Sequence, residues 1–475
     1  MSLQDLPYDI FLNLLGLLDS RSLLPLACTS RALEDAIIPE FLYKHVYVSS
    51  TSGRLQYFLH CITAEDGPPA DLVRSLDVGI IPARLEPLFA DALARMRNLR
   101  DFHLTGMAYA HSPPESAKVF GSLSALRHLH LGYCELHKLR EGLSQLQTLH
   151  VSGNHVDWSP MISSHGVGMI LLNSRETLIE ISVRNGINWI MGENPSSRDI
   201  GAGPRGDFRH VWPLVHTLDL SESTLTDEDS PVDLSLSFPS VRSFGAPRNH
   251  WAEHPHTRLF VSRLESFQGS WADMKNIVSS FSNLRRAVIQ RGSVWGTTFI
   301  FTEYLPSTLE SLEMSFAGGF LSHLDTLVEA TPNLVFLSIE LMRQTLDELF
   351  DTAAFLVTCV SRLPLAYLTF RCRTVDLRTG SIYTLDQVEA EWESAYSALK
   401  LQPGLQAVCL KVGKLQRYRW RKSAARSPFG LRFAGGAVEP EDTHKDIASG
   451  QVWSRTPLIP RQQVMYNWLQ SRAED

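Results

Sequence analysis

Leu126-Arg127-His128-Leu129-His130-Leu131-Gly132-Tyr133-Cys134-Glu135-Leu136 is the stretch that decides the fold. Leu129 and Leu131 alternate with histidines, the period-two signature of a strand with one buried face, and Leu126 adds an apolar anchor three residues upstream. A strand this short cannot bury its apolar side alone, so it needs copies of itself as neighbours.

The copies are present. From residue 73 onward the six-residue pattern apolar-x-x-apolar-x-apolar recurs at intervals of about 20 to 40 residues. Its instances are Val73-Leu76-Val78, Leu99-Phe102-Leu104, Leu126-Leu129-Leu131, Leu146-Leu149-Val151, Leu178-Ile181-Val183 and Val215-Leu218-Leu220. They continue through Val241-Phe244-Ala246, Leu264-Phe267-Gly269, Leu284-Ala287-Ile289, Leu309-Leu312-Met314, Leu334-Leu337-Ile339, Leu365-Leu368-Phe370 and Leu405-Val408-Leu410, about thirteen units in all. Two units carry Cys134 or Asn154 at the following turn, where such side chains can hydrogen-bond the backbone of a neighbouring coil. From about residue 70 to 412 the chain thus resembles a leucine-rich-repeat protein. That resemblance implies an α/β solenoid: a curved parallel sheet with helices or loops on its convex side.

The residues interleaved between the apolar positions should form the concave face, the central ones making a column: Asp77, His103, His130, His150, Ser182, Asp219, Gly245, Gln268, Val288, Glu313, Ser338, Thr369 and Cys409. With strands about 4.8 Å apart, His103, His130 and His150 form a ladder with His128 beside it. Such imidazoles repel one another when protonated unless an anion bridges them. Two readings follow, a solvated face that tolerates histidine and a target-binding patch. Parallel histidines at strand spacing lack the convergence a metal requires, so no metal site is expected.

At the N-terminus, Asp5 and Leu6-Pro7 give a helix-start signal, and Ile10, Leu14, Leu15 and Leu18 follow on one expected helical face. A second helix carries Leu23, Leu24 and Leu26, shortened or kinked by Pro25, and a third over Arg31 to Ile38 should stop at Pro39. Three short helices cannot bury so many leucines among themselves, which leaves apolar surface for a partner. The order Leu6-Pro7, Asp9-Ile10, Leu14-Leu15, Leu18-Asp19, Leu23-Leu24, Leu26, Cys28, Arg31 resembles an F-box, and Pro39, Leu42-Tyr43 and His45-Val46 resemble its continuation in fungal F-box proteins. The resemblance implies a substrate-recognition subunit of an SCF-type cullin-RING ubiquitin ligase. A Skp-type adaptor would bind through Leu6, Pro7, Ile10, Leu14, Leu15, Leu18, Leu23, Leu24, Leu26 and Arg31, the repeats would hold an unknown protein target, and the chain itself would be non-catalytic. The alternative is a non-degradative interaction scaffold whose N-terminal helices only cap the solenoid.

The expected organisation is adaptor-docking helices over 1–48, a linker helix or joint over 49–70, the repeat array over 71–412 and a cap and tail over 413–475. Ile190 to Pro213, rich in Gly, Pro, Ser and Arg, reads as a loop excursion, whereas Thr384 to Leu401 carries Leu385, Val388, Trp392, Tyr396 and Leu399 at helical spacing. Arg417-Tyr418-Arg419-Trp420-Arg421, within a basic run that extends from Lys411 to Arg426, reads as an edge strand closing the array or as a site for an acidic segment.

The remaining signals exclude more than they suggest. The net charge of -7 over 475 residues gives no global field that would gather nucleic acid. The N-terminal apolar run is broken by Asp9, Asn13, Asp19 and Arg21, which argues against a membrane span or signal peptide, so a cytoplasmic or nuclear protein is expected. The 6 cysteines are scattered without a Cys-x-x-Cys pair, which indicates neither a disulfide frame nor a zinc ribbon. Gly201-Ala202-Gly203-Pro204-Arg205-Gly206 satisfies the string of a dinucleotide site but lacks the preceding strand and following helix, so no cofactor is expected.

Overall fold

The computed structural model describes residues 7–16, 18, 20–48, 52–64, 70–107, 119–132, 143–152, 166–184, 188–189, 211–221, 224–225, 234–247, 257–289, 301–316, 324–376, 381–412 and 416–421, and every structural statement here concerns these. Leu6, the turn residues Cys134 and Asn154, the Gly201–Gly206 string, most of the 190–213 excursion and the tail beyond Arg421 lie outside them. The chain divides into two compact units, Met1–Phe260 and Val261–Asp475.

The first unit opens with three short helices, α1 (Tyr8–Gly16), α2 (Ser20–Ala27) and α3 (Arg31–Ile37). The third is started by Ser30, whose side chain accepts from the Leu33 amide. It does not stop cleanly at Pro39. Residues Ile38–Leu42 continue as one wide turn, closed by the Tyr43 amide donating to the Ile38 carbonyl at 3.2 Å. That turn places Pro39 near its start, where the missing N–H costs little.

Eight parallel strands then follow in this unit: β1 (His45–Val48), β2 (Ser75–Ile81), β3 (Asp101–Met107), β4 (His128–Gly132), β5 (Thr148–Ser152), β6 (Glu180–Arg184), β8 (Thr217–Asp219) and β10 (Ser243–Gly245). Between them β7 (Asn188–Trp189) and β9 (Thr224–Leu225) form a separate parallel pair. The register aligns Leu76, Phe102, Leu129, Leu149, Ile181, Leu218 and Phe244 in one row, all buried. Helices α4 (Ser52–Thr63) and α5 (Glu86–Arg95) return the chain from β1 to β2 and from β2 to β3. The array therefore begins one repeat earlier than its sequence pattern, because β1 pairs with β2 along its whole length. Residues 52–63, within the segment expected as a linker helix or joint, form the helix between β1 and β2, and only Tyr43 and Lys44 separate the wide turn from β1.

The second unit contributes β11 (Ser266–Gly269), β12 (Arg286–Ile289), β13 (Ser311–Phe316), β14 (Phe336–Thr345), β15 (Tyr367–Asp376) and β16 (Ala407–Val412) in parallel, and β17 (Gln416–Arg421) antiparallel to β16. Its core row runs Phe267, Ala287, Leu312, Leu337, Leu368, Val408. All the pattern units read from the sequence fall on strands, β2 to β6, β8 and β10 to β16. Strand β17 reverses direction and so breaks the repeat at the edge.

Longer connections here become capped helices. Ser270 with Asp273, Thr345 with Glu348 and Thr384 with Gln387 form reciprocal capping boxes at the starts of Trp271–Ile277, Leu346–Arg362 and Leu385–Lys400. The helix read over 384–401 is thus present, with Val388, Trp392 and Leu399 buried and the Trp392 ring stacked 4.9 Å from Phe370 of β15. Asp347 ties the two long helices together, accepting from the Ser381 hydroxyl and from the amides of Ile382 at 3.0 Å and Tyr383 at 3.3 Å. These bonds favour its ionised form and hold its carboxyl below the usual aspartate range. Phe350 stacks on Tyr383 at 4.0 Å beside the same loop.

Candidate functional site

Two surfaces of the first unit carry the candidate residues. In the helical module α1 turns by about 100° per residue, which separates side chains that the sequence reading grouped on one face. Phe11 and Leu15 of α1 join Leu23 and Ala27 of α2 and Leu33 and Ile37 of α3 in a closed core. Leu26 packs against its edge. Leu15 and Leu23 are therefore module core, and Phe11, which the sequence reading passed over, belongs with them. Ile10 and Leu14, one turn apart, lie about 100° round α1 from Phe11 and Leu15, and with Leu18 and with Leu24 of α2 they stay 40 to 54% exposed. Pro7 and Arg31 are exposed, and the Pro7 carbonyl accepts from the Phe11 amide at 2.9 Å in the first turn. Covering four half-exposed Leu or Ile side chains would contribute roughly 3 to 5 kcal/mol. They lie outside the buried cluster, so that gain is open to another surface.

The second surface is the sheet face away from the core rows. Its central column has the expected register, Asp77, His103, His130, His150, Ser182, Asp219 and Gly245, and Tyr47 of β1 precedes it. The imidazoles form a ladder: His103 meets His130 edge-on at 4.2 Å, and His130 stacks on His150 at 5.5 Å with ring planes 9° apart. Carboxylates bracket the ladder. The His103 Nδ1–H donates to Asp77 Oδ1 at 2.7 Å, and His150 Nε2 lies 3.3 Å from Glu180 Oε1. Beside it, His128 pairs through Nδ1 with the Thr148 hydroxyl at 2.8 Å and has Nε2 3.7 Å from Asp101 Oδ1. Burial raises the Asp101 carboxyl, opposed by the neighbouring His128, His45 and Arg100. Carboxylates of the two flanking strands, Asp77 of β2 and Glu180 of β6, thus lie against the two ends of the ladder. Among the described residues no group of three His, Cys, Asp or Glu side chains could hold a metal ion.

Further along the column the polar groups are consumed internally. The buried Asp219 carboxylate accepts from the Ser182 hydroxyl at 3.3 Å and from the amide and hydroxyl of Ser221 at 3.0 and 2.5 Å. A Cβ on Gly245 would lie 2.3 Å from Asp219 Oδ1, so only glycine leaves this carboxylate its place.

On the corresponding face of the second unit, the sequence column singled out Glu313 but not its surroundings. Burial raises the Glu313 carboxyl, Arg286 and Arg371 oppose that shift, and Glu340 adds to it. Glu340 itself accepts from Arg373 Nε at 2.7 Å and from the Ser315 hydroxyl at 3.4 Å. The signal for this network was the recurrence of charged residues two positions apart on adjacent strands. Of the basic run read at the end of the array, Lys411 lies exposed on β16 and Arg417 to Arg421 lie on β17.

No curated protein sequence matches the chain at a significant level. A family model described as F-box-like matches residues 3–49, a span that takes in the three helices, the wide turn and β1. A closed six-residue core, leucines left open on its outside and this match together make the N-terminal segment an F-box-like domain, set at the start of a long parallel sheet of repeated strands.

Proposed function

We propose that this chain is a substrate-recognition subunit of an SCF-type cullin-RING ubiquitin ligase, acting in the cytoplasm or nucleus. F-box-like domains generally bind Skp-type adaptors. The observation that carries the reading is the exposure of Ile10, Leu14, Leu18 and Leu24 around a core that is already closed. In this reading these residues dock the adaptor, the sheet face holds a target protein, and other subunits transfer ubiquitin. The chain's contribution is tethering, which raises the effective concentration of a target lysine near the charged carrier without chemistry of its own.

A second reading, a non-degradative scaffold, draws on the same two-residue link between helices and β1, since a terminal cap would be continuous with the first strand in the same way. One experiment separates the two. Purified adaptor is captured by the intact chain and by the Ile10→Asp/Leu14→Asp variant, with circular dichroism confirming an unchanged fold. The expected result is loss of capture by about a hundredfold or more, because a charge buried without a partner in an apolar interface costs several kcal/mol. Leu15→Asp should instead unfold the helical module itself, since that side chain is 1% exposed. An intact, folded chain that captures no adaptor would overturn the ligase reading in favour of the scaffold.

A further inference from the structure

The residue just before each strand forms a second ladder, in which the amide of one coil donates to the carbonyl of the coil before it. In the first unit Arg74 bonds Lys44 at 3.1 Å, Arg100 bonds Arg74 at 2.7 Å, Arg127 bonds Arg100 at 2.8 Å and Gln147 bonds Arg127 at 2.7 Å. Four cations therefore stand on four consecutive coils, and the row turns neutral at Gln147 and Ile179. Lys44 and Arg100 are exposed, while Arg74 and Arg127 are half-buried. Arg127 is fixed by Nη1 donating to the carbonyls of Ser124 and Leu126 at 3.0 and 2.9 Å. Among the described residues no side-chain hydrogen bond or ion pair engages Lys44, Arg74 or Arg100, although Arg100 acts electrostatically on the neighbouring Asp101 carboxyl.

The same row in the second unit runs Glu265, Arg285, Glu310, Val335, Ala366, Gln406. There the charges alternate, and Arg285 meets Glu310 at 3.6 Å. Like charges on neighbouring strands oppose folding, and apart from the Asp101 carboxylate beside Arg100 the described residues leave the first unit's row to attract an anion from outside. On the open face of β1 to β4 stand His45, His103, His128 and His130, with the carboxylates Asp77 of β2 and Asp101 of β3. The row spans three strand intervals, about 14 Å. That is the reach of roughly four residues of extended peptide.

We propose that Lys44, Arg74, Arg100 and Arg127 form a binding rail for an acidic peptide segment lying across β1 to β4, its anions being carboxylates or phosphates. A continuous phosphate backbone is the less suitable occupant, because it carries an anion at every step and cannot space its charges away from Asp77 and Asp101 as a peptide can, and the net charge of -7 repels a long polyanion. The proposal deepens the reading of the sheet as the target-holding surface and is independent of adaptor docking.

The test is fluorescence polarisation with the full-length chain and a fluorescein-labelled peptide of alternating glutamate and serine, its phosphoserine counterpart and a single-stranded oligonucleotide of equal length. Binding of at least one peptide is expected, weakening with added salt. Arg74→Glu/Arg100→Glu should weaken it by about tenfold or more, while Arg285→Glu in the second unit should leave it within about twofold. If the charge-reversed variant fails to fold, Arg74→Gln/Arg100→Gln decides, with a loss of about threefold or more expected. Preference for the phosphopeptide would assign the rail to modified targets, and equal binding would assign it to acidic stretches. Peptide binding that is absent, or unchanged in the folded variants, overturns the rail, as does tighter binding of the oligonucleotide. Adaptor capture by the same preparations keeps the failures apart: a chain that takes adaptor but no peptide loses only the rail, and one that takes peptide but no adaptor loses only the ligase reading.

Discussion

The two units use one strand pattern to opposite ends. In the first, the open face keeps histidines between carboxylates, and the residues just before β1 to β4 form a row of four cations. In the second, Arg286, Glu313, Glu340, Arg371 and Arg373 neutralise one another across adjacent strands, and the connections lengthen into helices with reciprocal caps. The difference teaches that a repeat fixes the buried rows and leaves the other positions free to serve either recognition or cohesion. The first unit leaves electrostatic attraction for a visitor, whereas the second spends it within its own sheet.

That contrast can be challenged first where cohesion is concentrated. Phe370→Ala removes the ring stacked on Trp392 between β15 and its covering helix, and should destabilise the protein by about 3 to 5 kcal/mol in urea unfolding. A change below about 1 kcal/mol would show that the helix–sheet contact is not what holds the second unit. Next in size is Gly245→Ala in the first unit, where a new Cβ would collide with a carboxylate held from three sides. About 1 to 3 kcal/mol of destabilisation is expected. A neutral outcome would mean that Asp219 can yield, and that the first unit is less tightly determined there than its geometry indicates.

The smallest effect concerns Asp347, and its sign follows from the direction of its shift. Its carboxyl is held below the ordinary aspartate value, so the stability it supplies is complete above the unfolded pKa and is lost as pH falls through the lower folded one. Asp347→Asn should therefore be less stable than the parent at neutral pH, and the two should converge as the solution is acidified below about pH 4. A difference that persists unchanged into strong acid would transfer the role from the carboxylate's charge to the packing of Phe350 on Tyr383.

Most of the fold was legible because the alternation of buried and open positions is strict. A single column drawn through the pattern reproduces the observed register from Asp77 to Gly245 and again from Gln268 to Cys409. The first coil was missed although it obeys the same rule. Tyr43-Lys44-His45-Val46-Tyr47-Val48 begins on tyrosine in place of leucine and overlaps the F-box resemblance, which absorbed it. Position two of successive units, Lys44, Arg74, Arg100 and Arg127, was equally visible, but attention to residues inside the strands passes over the residue that precedes them. The outward and inward leucines of α1 could not be separated by spacing alone. Ile10 with Leu14, and Phe11 with Leu15, have the same four-residue interval, and only the positions of α2 and α3 decide which pair is covered.

The brevity of the stretch Tyr43–Lys44 sets a length scale for the proposed assembly. A flexible tether the size of the 49–70 segment would let its ends wander over roughly 25 Å. Two residues span at most about 7 Å. If both tethers explored spheres, the shorter would sample a volume smaller by a factor of about fifty. A target seated on β1 to β4 would then meet the ligase at a fixed bearing, so the choice of which lysine is modified would be written in the target's own geometry, as a ring of permitted positions at constant radius from the rail.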